Sequence, residues 1–307
     1  MKALHRFDFM GLRRTFGVLS VVLVAASLVM LVVRPLNLGL DFTGGALVEI
    51  GSGQDIVIED VRRSLQGSPY ADAVIQHFGS ARDVVVRVAP REGAADNDKI
   101  GLEMFSLIQQ ALPAVELRRV EFVGPQVGDE LRDQSGLALL MALGAMLFYI
   151  WIRFSNKFGV AAVAALFHDV VIVLGCFALF QWPVDLTVLA AMLALIGYSI
   201  NDSIVVADYV RDTFRTTRLD DPAEIVNSAI QQTLGRTINT SLTTLLVVLA
   251  LQFFGGEAVH SFSLALSIGI IVGTYSSIYI VCNLALAMKL DKEDFIVPVV
   301  EEVDEAP

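Results

Sequence analysis

Charge, cysteine and histidine are all scarce in this chain, and each shortage removes a class of function. Lys, Arg, Asp and Glu make up 18% of the 307 residues, while 55% are hydrophobic and the mean hydropathy is +0.64. A soluble domain carries roughly 25% charged and 45–50% apolar residues, so this composition is that of an integral membrane protein. Basic residues number 22 against 33 acidic ones, a net charge of −11, which argues against nucleic-acid binding. The two cysteines, Cys176 and Cys282, lie in apolar runs, where a thiol behaves as a small hydrophobe. Two distant cysteines supply neither a disulfide framework nor zinc-ligand spacing. His77 is the only histidine in the long polar segment and sits in a strand-like run. No metal and no cofactor are expected. Nothing resembles a catalytic triad, a nucleophile elbow or a phosphate loop, so the chain is not expected to be an enzyme.

Apolar length is what the sequence has in abundance. A helix of about 20 apolar residues crosses a bilayer, and six such runs occur, near Phe16–Val33, Ser135–Ile152, Phe158–Phe180, Val184–Tyr209, Gly235–Phe254 and Phe262–Met288. Arg13 and Arg14 precede the first run as they would a signal peptide. Its length, and Arg34-Pro35-Leu36 where a cleavage site would stand, make it an uncleaved anchor. Lys2, Arg6, Arg13 and Arg14 precede span one, Arg153 and Lys157 follow span two, Arg211, Arg215 and Arg218 follow span four, and Lys289 and Lys292 follow span six. The links 181–183 and 255–257 carry no Lys or Arg, so the positive-inside rule puts both termini in the cytoplasm. The expected organisation is a cytoplasmic N-terminus with span one (1–34), a far-side domain (35–132), spans two to six (133–289) and an acidic cytoplasmic tail (290–307).

The far-side segment reads as a small α/β module. Strands are expected at Ala46–Ile50, Ala73–Phe78, Asp83–Val88 and Glu116–Val123, and helices at Ile58–Leu65 and Asp98–Leu112. The order βαββαβ is the ferredoxin-like pattern. Two glycine-rich stretches flank it, one holding Gly44 and Gly45, the other Gly124 and Gly128. They are linkers, or hinges that let the domain move, because glycine tolerates large backbone rotations.

Ionisable groups inside the spans are the strongest functional signal. A charged Asp at mid-bilayer costs about 2.5–3.5 kcal/mol on insertion scales and needs a partner, a wet cavity or a proton. Asp169 lies in span three beside His168, Asp202 in span four, and Arg236 at the start of span five. Together they read as an ion pathway. His168 is a candidate relay, although adjacent helical residues point about 100° apart. Ser199 lies three residues before Asp202 and shares its face, with Asn201 on a neighbouring one. Arg236, Asn239, Thr240 and Thr243 follow helical spacing as one polar stripe. The stripe either lines a polar path or holds helices together through hydrogen bonds. Asp185 is expected to cap span four, and Asp221-Pro222 to start an interfacial helix leading into span five.

Several motifs carry a resemblance. Gly39-Leu40-Asp41-Phe42-Thr43-Gly44-Gly45, Val123-Gly124-Pro125-Gln126-Val127-Gly128, Phe167-His168-Asp169-Val170, Gly197-Tyr198-Ser199-Ile200-Asn201-Asp202-Ser203 and Gln232-Thr233-Leu234-Gly235-Arg236-Thr237 look like those of the SecF family. The likeness runs in order from about Phe7 to Met288. It implies a six-helix half of a resistance–nodulation–division (RND) transporter fold with a ferredoxin-like periplasmic domain. It also implies a place in the bacterial inner membrane, with SecD and the SecYEG translocon as partners and an unfolded translocating polypeptide as cargo. Protons would drive the work, with Asp202 and Arg236 as the family's membrane charges. The competing reading is a half-size transporter of small molecules or lipids in the same superfamily. The far-side domain, about 100 residues and little more than one ferredoxin-like unit, is small for a drug-binding pocket.

Overall fold

The computed structural model describes residues 7–90, 97–153 and 156–295. In chain order the elements are α1 (Arg13–Val33), β1 (Asn37–Leu38), α2 (Leu40–Thr43), β2 (Gly45–Ser52), α3 (Ile58–Leu65), β3 (Val74–Phe78), β4 (Ser80–Val88), α4 (Asn97–Ala111), β5 (Val115–Val123), α5 (Pro125–Arg153), α6 (Asn156–Phe180), β6 (Pro183–Val184), α7 (Leu186–Thr216), α8 (Pro222–Phe254) and α9 (His260–Ala287). Contacts separate them into two units. One holds residues 1–36, 141–181 and 190–307, the other residues 37–140 and 182–189. Lys2, Arg6 and most of the expected tail, residues 296–307, lie outside the described residues.

Six helices are long and apolar enough to cross a membrane, one for each expected run. Three boundaries differ from the sequence reading by more than a turn of helix. Helix α5 starts at Pro125 rather than Ser135, so the expected domain border after residue 132 falls inside a helix. Helix α7 runs on to Thr216. Helix α8 starts at Pro222, so the expected interfacial helix and span five are one helix. No proline interrupts residues 223–254, and Asp221 caps the start by accepting from Ala223 N at 3.1 Å.

In the membrane unit, burial sorts the helices. Within their apolar windows, α6, α7 and α9 are 56%, 50% and 61% buried, whereas α1, α5 and α8 are 11%, 11% and 17% buried. The first three are therefore central and the others peripheral. Phe158, Val210, Phe214, Ile225, Ile230 and Val281 lock one end of the bundle. Where α1 meets α6 the approach is tight: a Cβ on Gly175 would lie 2.3 Å from the Ser27 side chain. Arg153 forks onto Asp208 at 2.9 and 2.9 Å, tying the end of α5 to α7.

The second unit is built on a four-stranded antiparallel sheet in the order β3-β4-β2-β5. Alternation puts Ala46, Val48 and Ile50 of β2 and Val84, Val86 and Val88 of β4 on one face. There they bury against Val61 and Leu65 of α3 and Ile100, Met104 and Ile108 of α4. The βαββαβ order with this strand order is the ferredoxin-like fold. A two-residue ladder pairs β1 with β6 in parallel, Asn37 with Pro183 and Leu38 with Val184. Arg87 fastens that ladder, donating to Leu38 O and Asn37 Oδ1 at 2.7 Å each. Burial lowers its pKa below the ordinary arginine value.

Of the glycines in the two stretches, Gly44, Gly45 and Gly128 are packed, while a Cβ on Gly124 would meet nothing within 4 Å. Gly44 and Gly45 have φ of +64° and +111°, a region that favours glycine. Gly128 lies in the first turn of α5, where a Cβ would come within 2.9 Å of Gly44 N. Gly124 precedes that helix, its carbonyl accepting from Gly128 N at 3.0 Å. A Cβ on Gly45 would lie 2.1 Å from Val88 O, a backbone atom in the neighbouring strand. Gly45→Ala is therefore expected to destabilise the chain by about 2 kcal/mol or more, read as a lowered thermal midpoint in detergent. Gly53→Ala, at a site with nothing within 4 Å, should change it little.

Candidate functional site

Two carboxylates near one another along α7 and α6 organise the polar interior of the membrane unit, and their surroundings differ. Asp169 on α6 is fully buried, at 0% exposure. Its Oδ2 accepts from Ser199 Oγ of α7 at 2.5 Å and from Ser276 Oγ of α9 at 2.8 Å. Its Oδ1 lies 2.9 Å from His168 Nδ1. The adjacent residues expected to point apart thus both turn inward, because the imidazole folds back onto its neighbour's carboxylate. His168 Nε2 is buried without a hydrogen-bond partner, and its ring stands 6.0 Å from that of Tyr275. Ser203 and Ser277 extend the seam between α7 and α9 at 3.3 Å. Glycine makes room for it: a Cβ on Gly273 would already touch Ser199 and Asp169 Oδ2.

Asp202 sits three residues beyond Ser199, about 4.5 Å further along the helix axis. It too is buried, yet its Oδ2 has no hydrogen-bond partner. Two groups on α8 act on it, the Ser241 hydroxyl and the Arg236 charge. Ser241 Oγ accepts from Tyr198 OH at 3.2 Å and from Thr274 Oγ1 at 2.7 Å. Thr274 Oγ1 also lies 2.7 Å from Ile270 O, so the hydroxyls of Ser241, Tyr198 and Thr274 form one chain between α7, α8 and α9 beside Asp202. Among the described residues, no ion pair within 4.0 Å joins Arg236 to Asp202.

The remaining expected site residues lie elsewhere. Arg236, Asn239, Thr240 and Thr243 share one exposed face of α8, and Asn201 is exposed on α7. Thr240 and Thr243 donate to their own helix, to Arg236 O at 3.0 Å and Asn239 O at 2.8 Å. Of the five residues expected to line a polar path, only Ser199 lies inside this chain's bundle. Asn239, Thr240 and Thr243 belong to an outward stripe because α8 is a peripheral helix, while Asn201 is exposed on α7. Tyr198, Ser241, Thr274, Ser276 and Ser277 belong to the interior network and were not singled out from the sequence. The polar cluster Thr274-Tyr275-Ser276-Ser277 inside an otherwise apolar run was the available signal. No group of three or more metal-binding side chains occurs among the described residues.

The family model described as "Protein export membrane protein SecD/SecF, C-terminal" matches residues 104–291, and the SecD/SecF GG motif matches residues 29–56. The chain is 45% identical over 312 residues to the protein translocase subunit SecF of Vibrio alginolyticus, covering 100% of this chain and 99% of that protein. Against the SecF subunit of Pseudomonas aeruginosa it is 46% identical over 304 residues, covering 98% and 97%. The chain belongs to the SecF family. Among solved structures, SecDF of Thermus thermophilus, titled a translocon-associated membrane protein, matches with a TM-score of 0.83 at 38% identity. The match covers 94% of this chain and 40% of that one. A structure of SecDF in a super-membrane-facing form matches with a TM-score of 0.68 at 39% identity and the same coverage. This is thus a multi-pass membrane subunit of the Sec protein-export machinery with an RND-like fold. The named relatives are translocase subunits, which are transport components.

The two polar faces make different demands on stability. Ser276→Ala removes one of the three groups bonded to a fully buried carboxylate and should cost about 1–3 kcal/mol. Thr243→Ala removes an exposed hydroxyl bonded to its own helix and should cost less than about 0.5 kcal/mol. Thermal unfolding of the purified chain in detergent checks the ranking.

Proposed function

We propose that this chain couples proton flow to protein export, as the SecF-type half of a heterodimer with SecD that works beside the SecYEG translocon. The observation that carries this reading is Asp202, a buried carboxylate with one oxygen unpartnered, set against Ser241 and the charge of Arg236. Ionisable groups inside spans mark ion and proton routes. Asp169 and His168 extend the route, and the unpartnered His168 Nε2 leaves a place for a proton or water. The cargo is an unfolded polypeptide emerging on the far side, and the site is the bacterial inner membrane with both termini cytoplasmic. The Lys and Arg clusters at one set of span ends support that orientation.

The exposed stripe on α8 supports the partnership. Arg236 and Asn239 facing hydrocarbon would be expensive, so a second helical half covers them. The 40% coverage of the SecDF chain leaves room for such a half there. The domains act as 1–34, 35–132, 133–289 and 290–307, with Gly44, Gly45, Gly124 and Gly128 as the pivot. SecDF is known in forms that match this chain with TM-scores of 0.83 and 0.68, which favours a moving part. No observation favours the small-molecule transporter.

Asp202→Asn keeps the shape and removes the titrating group. Moving one charge is worth about 2.3 kcal/mol per 100 mV, roughly fifty-fold in a two-state equilibrium. The variant should still assemble with SecD, while translocation into membrane vesicles drops to the level seen with the proton gradient collapsed. Gradient-stimulated translocation equal to wild type would sink the reading.

A further inference from the structure

At the end of the membrane unit where α1 and α8 begin and α9 finishes, a groove of about 590 Å³ opens. That size falls within the roughly 300–1,000 Å³ of small-ligand sites. Arg13, Arg14 and Lys289 line it, and none of the three joins an ion pair among the described residues. Two carboxylates share the groove, Asp221 and Asp291. Both are engaged by backbone, accepting from Ala223 N at 3.1 Å and from Lys292 N at 2.6 Å respectively. Three cations against two carboxylates leave the groove net positive, and the three cations are free to meet an anion. Its basic residues are also held in place. Asn283 Nδ2 donates to Arg13 O at 3.1 Å. Lys289 occupies a left-handed turn, φ +58°, whose carbonyl accepts from Lys157 Nζ at 2.9 Å.

The depth and the walls indicate the ligand. Arg13 and Arg14 open span one and Lys289 follows span six, so all three stand at the membrane boundary, where lipid phosphates lie. Leu286 and Ala287 form an apolar side of the groove. Beyond Arg14, Val18, Val21 and Val22 of α1 are exposed and offer a surface for acyl chains. A free phosphate ion would use the cations but not these walls. We propose that the groove binds the phosphate of an anionic phospholipid, with its chains lying along α1. None of its residues belongs to the Asp169 and Asp202 network.

Native mass spectrometry of the full chain in detergent, with phosphatidylglycerol or phosphatidylcholine added, tests this. Phosphatidylglycerol should be retained about tenfold more than phosphatidylcholine, and Arg13→Gln/Arg14→Gln/Lys289→Gln should erase the difference. The control Arg118→Gln/Arg132→Gln, which removes two positive charges from the other unit, should keep it. Equal retention of the two lipids by wild type, or an unchanged preference in the triple variant, overturns the proposal. So does displacement of phosphatidylglycerol by millimolar inorganic phosphate, which would make the site one for the free ion. Should the triple variant fail to insert, Lys289→Gln alone, beyond the end of α9, should reduce the preference several-fold, and no reduction overturns the proposal.

Discussion

The membrane unit depends on solvating a carboxylate without water. Asp169 receives its hydrogen bonds from three helices, His168 on α6 itself, Ser199 on α7 and Ser276 on α9. Removing partners from a buried charge is far more costly than never burying it, so each donor must arrive at its place. That requirement fixes the rotation of α7 and α9 about their axes at once, and the small residues Gly273 and Ser277 let the backbones come close enough to meet it. The three helices that serve Asp169 are the three that are half or more buried. Hydrophobic burial alone would not choose among six helices that are all apolar, since lipid is as apolar as leucine. The polar seam makes the choice.

Asp202 stands one turn further along α7 in a contrasting environment. Asp169 has both oxygens engaged, whereas Asp202 keeps one oxygen free and looks to α8, a peripheral helix. One fold thus places two carboxylates in unlike surroundings, Asp169 held by three groups and Asp202 with one oxygen unpartnered. Ser241 illustrates how local the arrangement is. Tyr198 of α7 and Thr274 of α9 both meet its hydroxyl, so one serine joins three helices beside the carboxylate.

Much of this was legible in the sequence, for physical reasons that also explain the misses. The ferredoxin-like unit was readable because its strands alternate and its helices repeat at helical spacing, so that Val84, Val86 and Val88 or Ile100, Met104 and Ile108 declare a buried face. The spans were readable from apolar length. Their ends were less so: the helix start at Asp221-Pro222 was legible from its cap, but its unbroken run into span five was not, and Gln126 to Gln134 hold too few apolar residues to announce a spanning helix. Asp169, His168, Ser199 and Asp202 were found because an ionisable or polar residue in hydrocarbon is conspicuous. The direction of the α8 stripe was not. Spacing tells which residues share a face of a helix and says nothing about whether that face looks into the bundle or away from it. Ser276 and Ser277 were missed because serine in a span is commonplace, and its meaning appears only when Asp169 is seen opposite.

The stretch from Gly39 to Gly45 shows why a short motif can be so dense in constraint. Leu40 and Phe42 are buried, Thr43 Oγ1 donates to Gly39 O at 3.1 Å, and the positive φ of Gly44 and Gly45 turns the chain into β2. Asp41 Oδ2 accepts from Leu186 N at 3.0 Å, and Asp185 Oδ1 accepts from Val188 N at 3.0 Å, so two carboxylates cap the first turn of α7. Asp202 lies sixteen residues on in the same helix, about 24 Å along its axis. Each cap is worth about 1 kcal/mol, so the motif and the first turn of α7 hold one another in place, and a change at either Asp41 or Asp185 is felt by the other.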